Sequence, residues 1–102
     1  MIQIVETKKF LMDKREKLNS MEKMIRELND IVNSQASLLK KVAQLEAENI
    51  NLGNYLLDQK LPGIHSNADE TLNTASQLVE EFTGVKNKFI KDNKLDEQPL
   101  VS

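Results

Sequence analysis

Few residues in this 102-residue chain have the chemistry of a catalytic or metal-binding site. The chain has no cysteine, and its one histidine, His65, has only Asp69 near it as a candidate partner. Nucleophilic catalysis and zinc binding each need several such groups together. Ser66, which directly follows the histidine, fits a helix N-cap better than a nucleophile. We therefore expect a protein that is not an enzyme, with no catalytic, cofactor-binding or metal-binding residues.

The composition indicates long helices and a missing core. Aromatic residues make up only 4% of the chain and charged residues 29%, with three glycines and two prolines. From Thr7 to Lys60 there is no proline and only one glycine, Gly53, and good helix formers dominate. Such a helix would be about 80 Å long at ~1.5 Å per residue, and it cannot bury its apolar stripe against itself. It needs a partner helix.

A proline–glycine pair predicts a break after this helix. Pro62 disfavours helical backbone at Leu61 and lacks a donor, and Gly63 permits a sharp turn. Ser66 with Asp69, or Asn67 with Glu70, then has capping-box spacing for a second helix. The apolar stripe of that helix consists of Ala68, Leu72, Ala75, Val79, Phe82 and Phe89. The predicted fold is an all-α, elongated and oligomeric helical hairpin, with a coiled-coil helix over 1–60, a turn over 61–67, a second amphipathic helix over 68–92 and a disordered tail over 93–102.

Apolar residues of the first helix follow heptad spacing in two frames. The first frame runs from Leu18 to Leu39, and the second runs from Leu38 to Leu56. The frames differ by three residues near Gln35, which predicts a stammer that overwinds the coiled coil there. The second frame, over 38–56, is the predicted oligomer seam and consists of Leu38, Val42, Leu45, Asn49, Leu52 and Leu56.

This seam has the composition of a parallel two-stranded zipper. Leucine stands at every d position, and Val42 and Asn49 stand at a positions, where a buried asparagine pairs with its symmetry mate. Lys41 of one chain would face Glu46 of the other in an exposed ion pair. We expect a parallel dimer or an association with other helical subunits, and we expect Asn49→Leu to raise thermal stability. A monomeric antiparallel hairpin is the alternative, and two hairpins could also join as a four-helix bundle.

Residues 45–56, with the sequence LEAENINLGNYL, resemble the end of the short coiled-coil protein family. That family carries a Glu-Asn-x-x-Leu-Gly-x-Tyr-aliphatic motif after a heptad helix. The matching residues here are Glu48, Asn49, Leu52, Gly53, Tyr55 and Leu56. The resemblance covers Leu28–Leu57. It implies a parallel coiled-coil adaptor on the Golgi or another endomembrane that engages an Arf-like small GTPase.

Gly53 and Tyr55 form a candidate partner surface. A glycine inside a helix costs roughly 1 kcal/mol relative to alanine, and close approach by a partner would explain its presence. The tyrosine beside it would supply an amphipathic contact. A tolerated surface glycine next to a tyrosine that covers the seam is the alternative interpretation.

The residues together predict a cytoplasmic interaction protein, acting as an adaptor or as a small subunit of a helical complex. No apolar run is long enough to span a membrane, and the net charge of +3 over residues 1–26 is a basic patch too mild for a nucleic-acid-binding arm. The alternative is a peripheral membrane binder. Its basic amphipathic face would consist of Lys8, Lys9, Lys14, Arg15 and Lys17.

Overall fold

The chain folds into two long α-helices joined by a short turn in the computed structural model. The structure describes the backbone of residues 2–96 and the side chains of residues 13–96. Helix α1 spans Ile2–Leu52 and helix α2 spans Tyr55–Asp92. Residues 2–96 contain no β-strand. The predicted all-α helical hairpin is confirmed.

Two residues make the whole turn between the helices. Gly53 has a φ of 66°, in the left-handed region that favours glycine, and its N–H donates to the carbonyl oxygen of Asn49 at 2.6 Å. This is the hydrogen bond of an αL cap, which ends α1. Asn54 then caps α2, because its Oδ1 accepts a hydrogen bond from the N–H of Leu57 at 3.2 Å.

The predicted turn over 61–67 is wrong, because α2 continues through this segment. Pro62 lies inside the helix, where it cannot donate to the carbonyl of Asp58. Leu61 and Ala68, on either side of the proline, are both buried. Their burial offsets the lost hydrogen bond. Ser66 therefore lies within α2, and the capping role predicted for it belongs to Asn54.

The prediction of a disordered tail over 93–102 is wrong for its first four residues. Lys94 has a φ of 54°, and its N–H donates to the carbonyl of Lys91 at 3.2 Å. The N–H of Leu95 donates to the carbonyl of Ile90 at 2.9 Å, and the Leu95 side chain is buried. These two bonds form a Schellman motif that ends α2 in an ordered cap. Residues 97–102 lie outside the described part of the chain.

The molecule divides into two compact units, each built from segments of both helices. The terminal unit comprises Met1–Glu27 and Glu80–Ser102. The turn unit comprises Leu28–Val79 and contains the whole connection between α1 and α2.

One uninterrupted seam of covered side chains runs along each helix of the turn unit. On α1 it consists of Leu28, Val32, Gln35, Leu39, Val42, Glu46 and Asn49. On α2 it consists of Leu61, His65, Ala68, Leu72, Ala75 and Val79. The steps alternate between three and four residues without a shift, as in a regular heptad. The stammer predicted near Gln35 is therefore wrong, since Gln35 is itself a half-buried member of the seam.

Candidate interaction surface

The structure divides the predicted oligomer seam into two groups. Val42 and Asn49 are buried within the turn unit, each with 3% of its surface exposed. The other four members keep between 41% and 71% of their surface exposed, and these are Leu38, Leu45, Leu52 and Leu56. In the closed hairpin the six residues cannot lie in one interchain zipper. As a single seam the prediction is wrong, because two of its members are buried within the chain and four are exposed.

Asn49 uses its buried amide group to hold the turn. Its Nδ2 donates to the carbonyl oxygen of Asn54 at 3.1 Å and to Oδ1 of Asp58 at 2.6 Å. Its Oδ1 accepts a hydrogen bond from the N–H of Asn54 at 2.9 Å. Both amide hydrogens are used within the chain, so none is left for a symmetry mate. The interchain role predicted for Asn49 is therefore wrong, and the gain in stability expected from Asn49→Leu loses the burial between chains on which it rested.

Glu46 and His65 join α1 to α2 a short distance from the turn. Oε1 of Glu46 lies 2.6 Å from Nδ1 of His65, and both side chains are half-buried in the seam. Glu46 therefore has its partner inside the chain, whereas the heptad pattern predicts Lys41 of another chain opposite it. Within residues 13–96, no three His, Cys, Asp or Glu side chains are grouped so that they could hold a metal ion.

A line of exposed apolar side chains follows each helix beside the seam of the turn unit. On α1 the line repeats every seven residues, and its members at 31, 38 and 45 directly precede seam residues. On α2 the line consists of Ile64 and Leu78 with the uncharged polar Thr71 between them, and all three also directly precede seam residues. We call the two lines together the apolar face, which consists of Ile31, Leu38, Leu45, Leu52, Ile64, Thr71 and Leu78, all exposed.

The two lines share one side of the turn unit. The helices are antiparallel and meet along one seam, so residues with the same offset from the seam fall on the same side. The opposite offset shows this directly, because Ala43, Ile50 and Pro62 each follow a buried seam residue and together help line one groove. The apolar face is thus one surface made by both helices. It contains no charged side chain, although these heptad positions commonly carry Glu or Lys.

The predicted partner surface at Gly53 and Tyr55 lies at the turn. The φ of 66° explains the glycine, because residues with a Cβ rarely adopt this conformation. A Cβ placed there would meet nothing within 4 Å. Close approach by a neighbouring group of the same chain is therefore not what requires it. Tyr55 begins α2 with 73% of its surface exposed, and its hydroxyl accepts a hydrogen bond from Nε2 of Gln59 at 2.7 Å. Recognition of this pair by a partner stays a prediction.

The basic residues predicted to form a membrane-binding face belong to the terminal unit. The side chains of Lys8 and Lys9 lie outside the described part of the chain. Lys14 donates a hydrogen bond to Oδ1 of Asn93, and Lys17 lies beside the apolar side chains of Phe82 and Phe89. None of the described helices has a stretch long and apolar enough to cross a bilayer.

No protein-family model, curated protein or solved structure matches this chain. The resemblance of residues 48–56 to the short coiled-coil protein family therefore stays a prediction. Two of its matching residues have a local structural role, since Asn49 and Gly53 build the turn between α1 and α2.

Proposed function

We propose that this protein is a non-enzymatic assembly module, a helical hairpin that joins other helices through its apolar face. It would act as an adaptor or as a small subunit of a helical complex. The observation that carries the proposal is the uncharged, regularly spaced line of exposed apolar residues on both helices of the turn unit. Contiguous exposed apolar surface with a polar rim is typical of protein–protein interaction sites.

The free energy available from covering the apolar face fits a reversible association. Full burial of a leucine or isoleucine contributes about 1.5–3 kcal/mol, and these side chains are already partly covered, so we assign about 1 kcal/mol to each. The six aliphatic members would then supply about 6 kcal/mol, with a similar amount from the partner's surface. Association itself costs about 4–15 kcal/mol. The balance favours a complex that forms and dissociates over one that is permanent.

The shape of the face selects the kind of partner. Two parallel lines of side chains with seven-residue spacing match the apolar stripe of another helix or helical hairpin. The motif at residues 48–56 extends the proposal to an adaptor on the Golgi or another endomembrane, with Gly53 and Tyr55 as the contact for a small GTPase. That extension rests on the motif alone.

Site-specific photo-crosslinking tests the apolar face as an association surface. A photo-reactive amino acid replaces Leu45, and in a matched variant it replaces Asn33, which is exposed on another side of α1. In an extract of the source cells, we expect discrete products of higher mass from position 45 and none from position 33. The crosslinked peptide of the partner should map to an apolar helical stripe. Equal labelling from both positions, or no product from position 45, would refute the proposal.

A further inference from the structure

We propose that the apolar face binds a second copy of the same chain about a two-fold axis parallel to the helices. The two turn units then form a four-helix bundle with both turns at the same end. This inference rests on the proposed function of the apolar face and names its partner.

The central lines of the apolar face are suited to contact with the same lines of a second copy. A two-fold interface brings the same surface of both copies together, so any charge on its central lines would be buried close to its own symmetry copy. The apolar face has aliphatic side chains at six of its positions and Thr71 at the seventh. Self-association therefore brings no like charges together along these lines, and it covers apolar surface on both copies at once.

The charges at the rim of the face are complementary under this two-fold axis. Glu48 stands at the rim on α1 and Lys60 at the equivalent rim position on α2, and both are exposed. They lie at a similar height along the hairpin, because Asn49 bonds to Asp58 across the turn and Glu46 contacts His65 nearby.

An axis parallel to the helices places α1 of one copy against α2 of the other at the same height. Glu48 of each copy then faces Lys60 of the second copy, so two equivalent ion pairs form. The next rim positions bring Lys41 opposite Asn67 of the second copy, and then Ser34 opposite Thr74. No like charges meet along either edge of the turn unit.

The other two-fold arrangement does not have this complementarity. With the turns at opposite ends, α1 lies against α1 of the second copy and α2 lies against α2. Glu48 and Lys60 are then on different helix pairs and do not meet. The Glu48–Lys60 pair thus forms only in the bundle with both turns together. In the other arrangement Glu48 would face Lys41 of the second copy, so Lys60 is the residue that distinguishes the two arrangements.

Sedimentation equilibrium of the full chain at micromolar concentration tests self-association. We expect a species of twice the 11.6 kDa chain mass. The double variant Leu38→Lys/Leu45→Lys should sediment as a monomer, because it places charges at the centre of the interface. The matched control Ile50→Lys should still dimerise, since Ile50 is 81% exposed and lies outside the apolar face. Circular dichroism should show the same helicity for all three chains, because the changed positions are exposed in the single hairpin.

A charge exchange tests the arrangement of the two copies. Glu48→Lys and Lys60→Glu should each weaken the dimer by about tenfold, because two ion pairs become two repulsive pairs. The combined variant Glu48→Lys/Lys60→Glu should restore the affinity of the unchanged chain.

Each contrary result overturns a defined part of the inference. A helical monomer at every concentration overturns self-association, and so does a dimer that Ile50→Lys abolishes while the apolar-face variant retains it. Single charge changes without effect, or a combined variant without recovery, overturn the arrangement with both turns together. If Leu45 crosslinks only to a different protein, the second copy is excluded as the partner while the proposed function holds. If Leu45 crosslinks to nothing, both fail.

Discussion

Asn49 stands in the sequence at a heptad position where a zipper would bury it between two chains, yet it is buried within one chain. A buried amide is tolerated only when its polar atoms have partners, and here the partners are Asn54 and Asp58 at the start of α2. The three hydrogen bonds connect the last turn of α1 to the first turn of α2. At the scale of single residues, this side chain decides where the chain reverses.

Replacement of Asn49 by leucine should destabilise the protein. The change removes the hydrogen-bond partners of the Asn54 backbone and of the Asp58 carboxylate, and the loss of these bonds costs about 1–3 kcal/mol in total, since each contributes about 0.5–1.5 kcal/mol net. We expect the free energy of unfolding to fall by about that amount in urea denaturation followed by circular dichroism. Asn51→Leu, on the exposed side of the same helical turn, is the control and should change it by less than about 0.5 kcal/mol. An Asn49→Leu protein that is more stable than the unchanged chain would support the interchain zipper instead.

The ends of the two helices depend on residues in the left-handed region. Gly53 ends α1 at a φ of 66° without a steric penalty, whereas α2 ends at Lys94, a residue with a Cβ, at 54°. Gly84 differs from Gly53, because it lies inside α2 without a positive φ, while a Cβ added at either glycine would meet no atom within 4 Å. Gly53 therefore stabilises the end of α1, whereas Gly84 weakens α2, the helix that contains it.

Alanine substitutions at these two glycines should change the free energy of unfolding in opposite directions. Gly53→Ala should lower the free energy of unfolding by about 1 kcal/mol, because alanine is strained at positive φ. Gly84→Ala should raise it by about 0.5–1 kcal/mol, because alanine favours the helix and meets no neighbour. Thermal melts of the two variants beside the unchanged chain measure both effects. Shifts of the same sign in both would rule out the cap at Gly53 as the reason for its glycine.

Pro62 shows how tertiary packing overrides a local signal within an element. Proline usually ends a helix because it lacks an N–H and crowds the preceding turn. The buried side chains of Leu61 and Ala68 lie on the seam on both sides of it, and they keep α2 continuous. The break predicted at Pro62 and Gly63 therefore lies nine residues away, at Gly53 and Asn54.

At the scale of the whole molecule, the turn unit has two apolar surfaces, of which one is buried and one is exposed. The seam through Val42 and Ala68 is covered within the chain, and the apolar face through Leu45 and Ile64 stays exposed. A second copy on that face would couple folding to association. Stability then depends on protein concentration as well as on sequence.

The midpoint of thermal unfolding should rise with protein concentration, because dilution dissociates the dimer before it unfolds. We expect calorimetry of the unchanged chain over about a hundredfold concentration range to show this rise. The Leu38→Lys/Leu45→Lys variant should unfold at one temperature throughout. A constant midpoint for the unchanged chain, equal to that of the variant, would contradict the coupling.

The amino-acid sequence by itself determined the helical class, the apolar stripe of the second helix and the need of the first helix for a partner. These follow from local propensity and from the spacing of residues such as Ala68, Leu72 and Ala75, which any helix places on one side. The end of α2 at Asp92 also agrees with the predicted end of the second helix.

Only the tertiary structure decided which apolar line meets the chain's own second helix. Leu38 and Leu39 belong to heptad frames that both fit the periodicity, so spacing alone cannot choose between them. The turn at Gly53 and Asn54 fixes the position of α2 along α1, and the contacts of Glu46 and Asn49 then select the line through Leu39 and Val42. From the sequence alone, an asparagine such as Asn49 fits a zipper and a turn equally well. Its hydrogen-bond partners come together only once the chain has reversed. The leucines at 38, 45 and 52 consequently stay exposed and available for a partner.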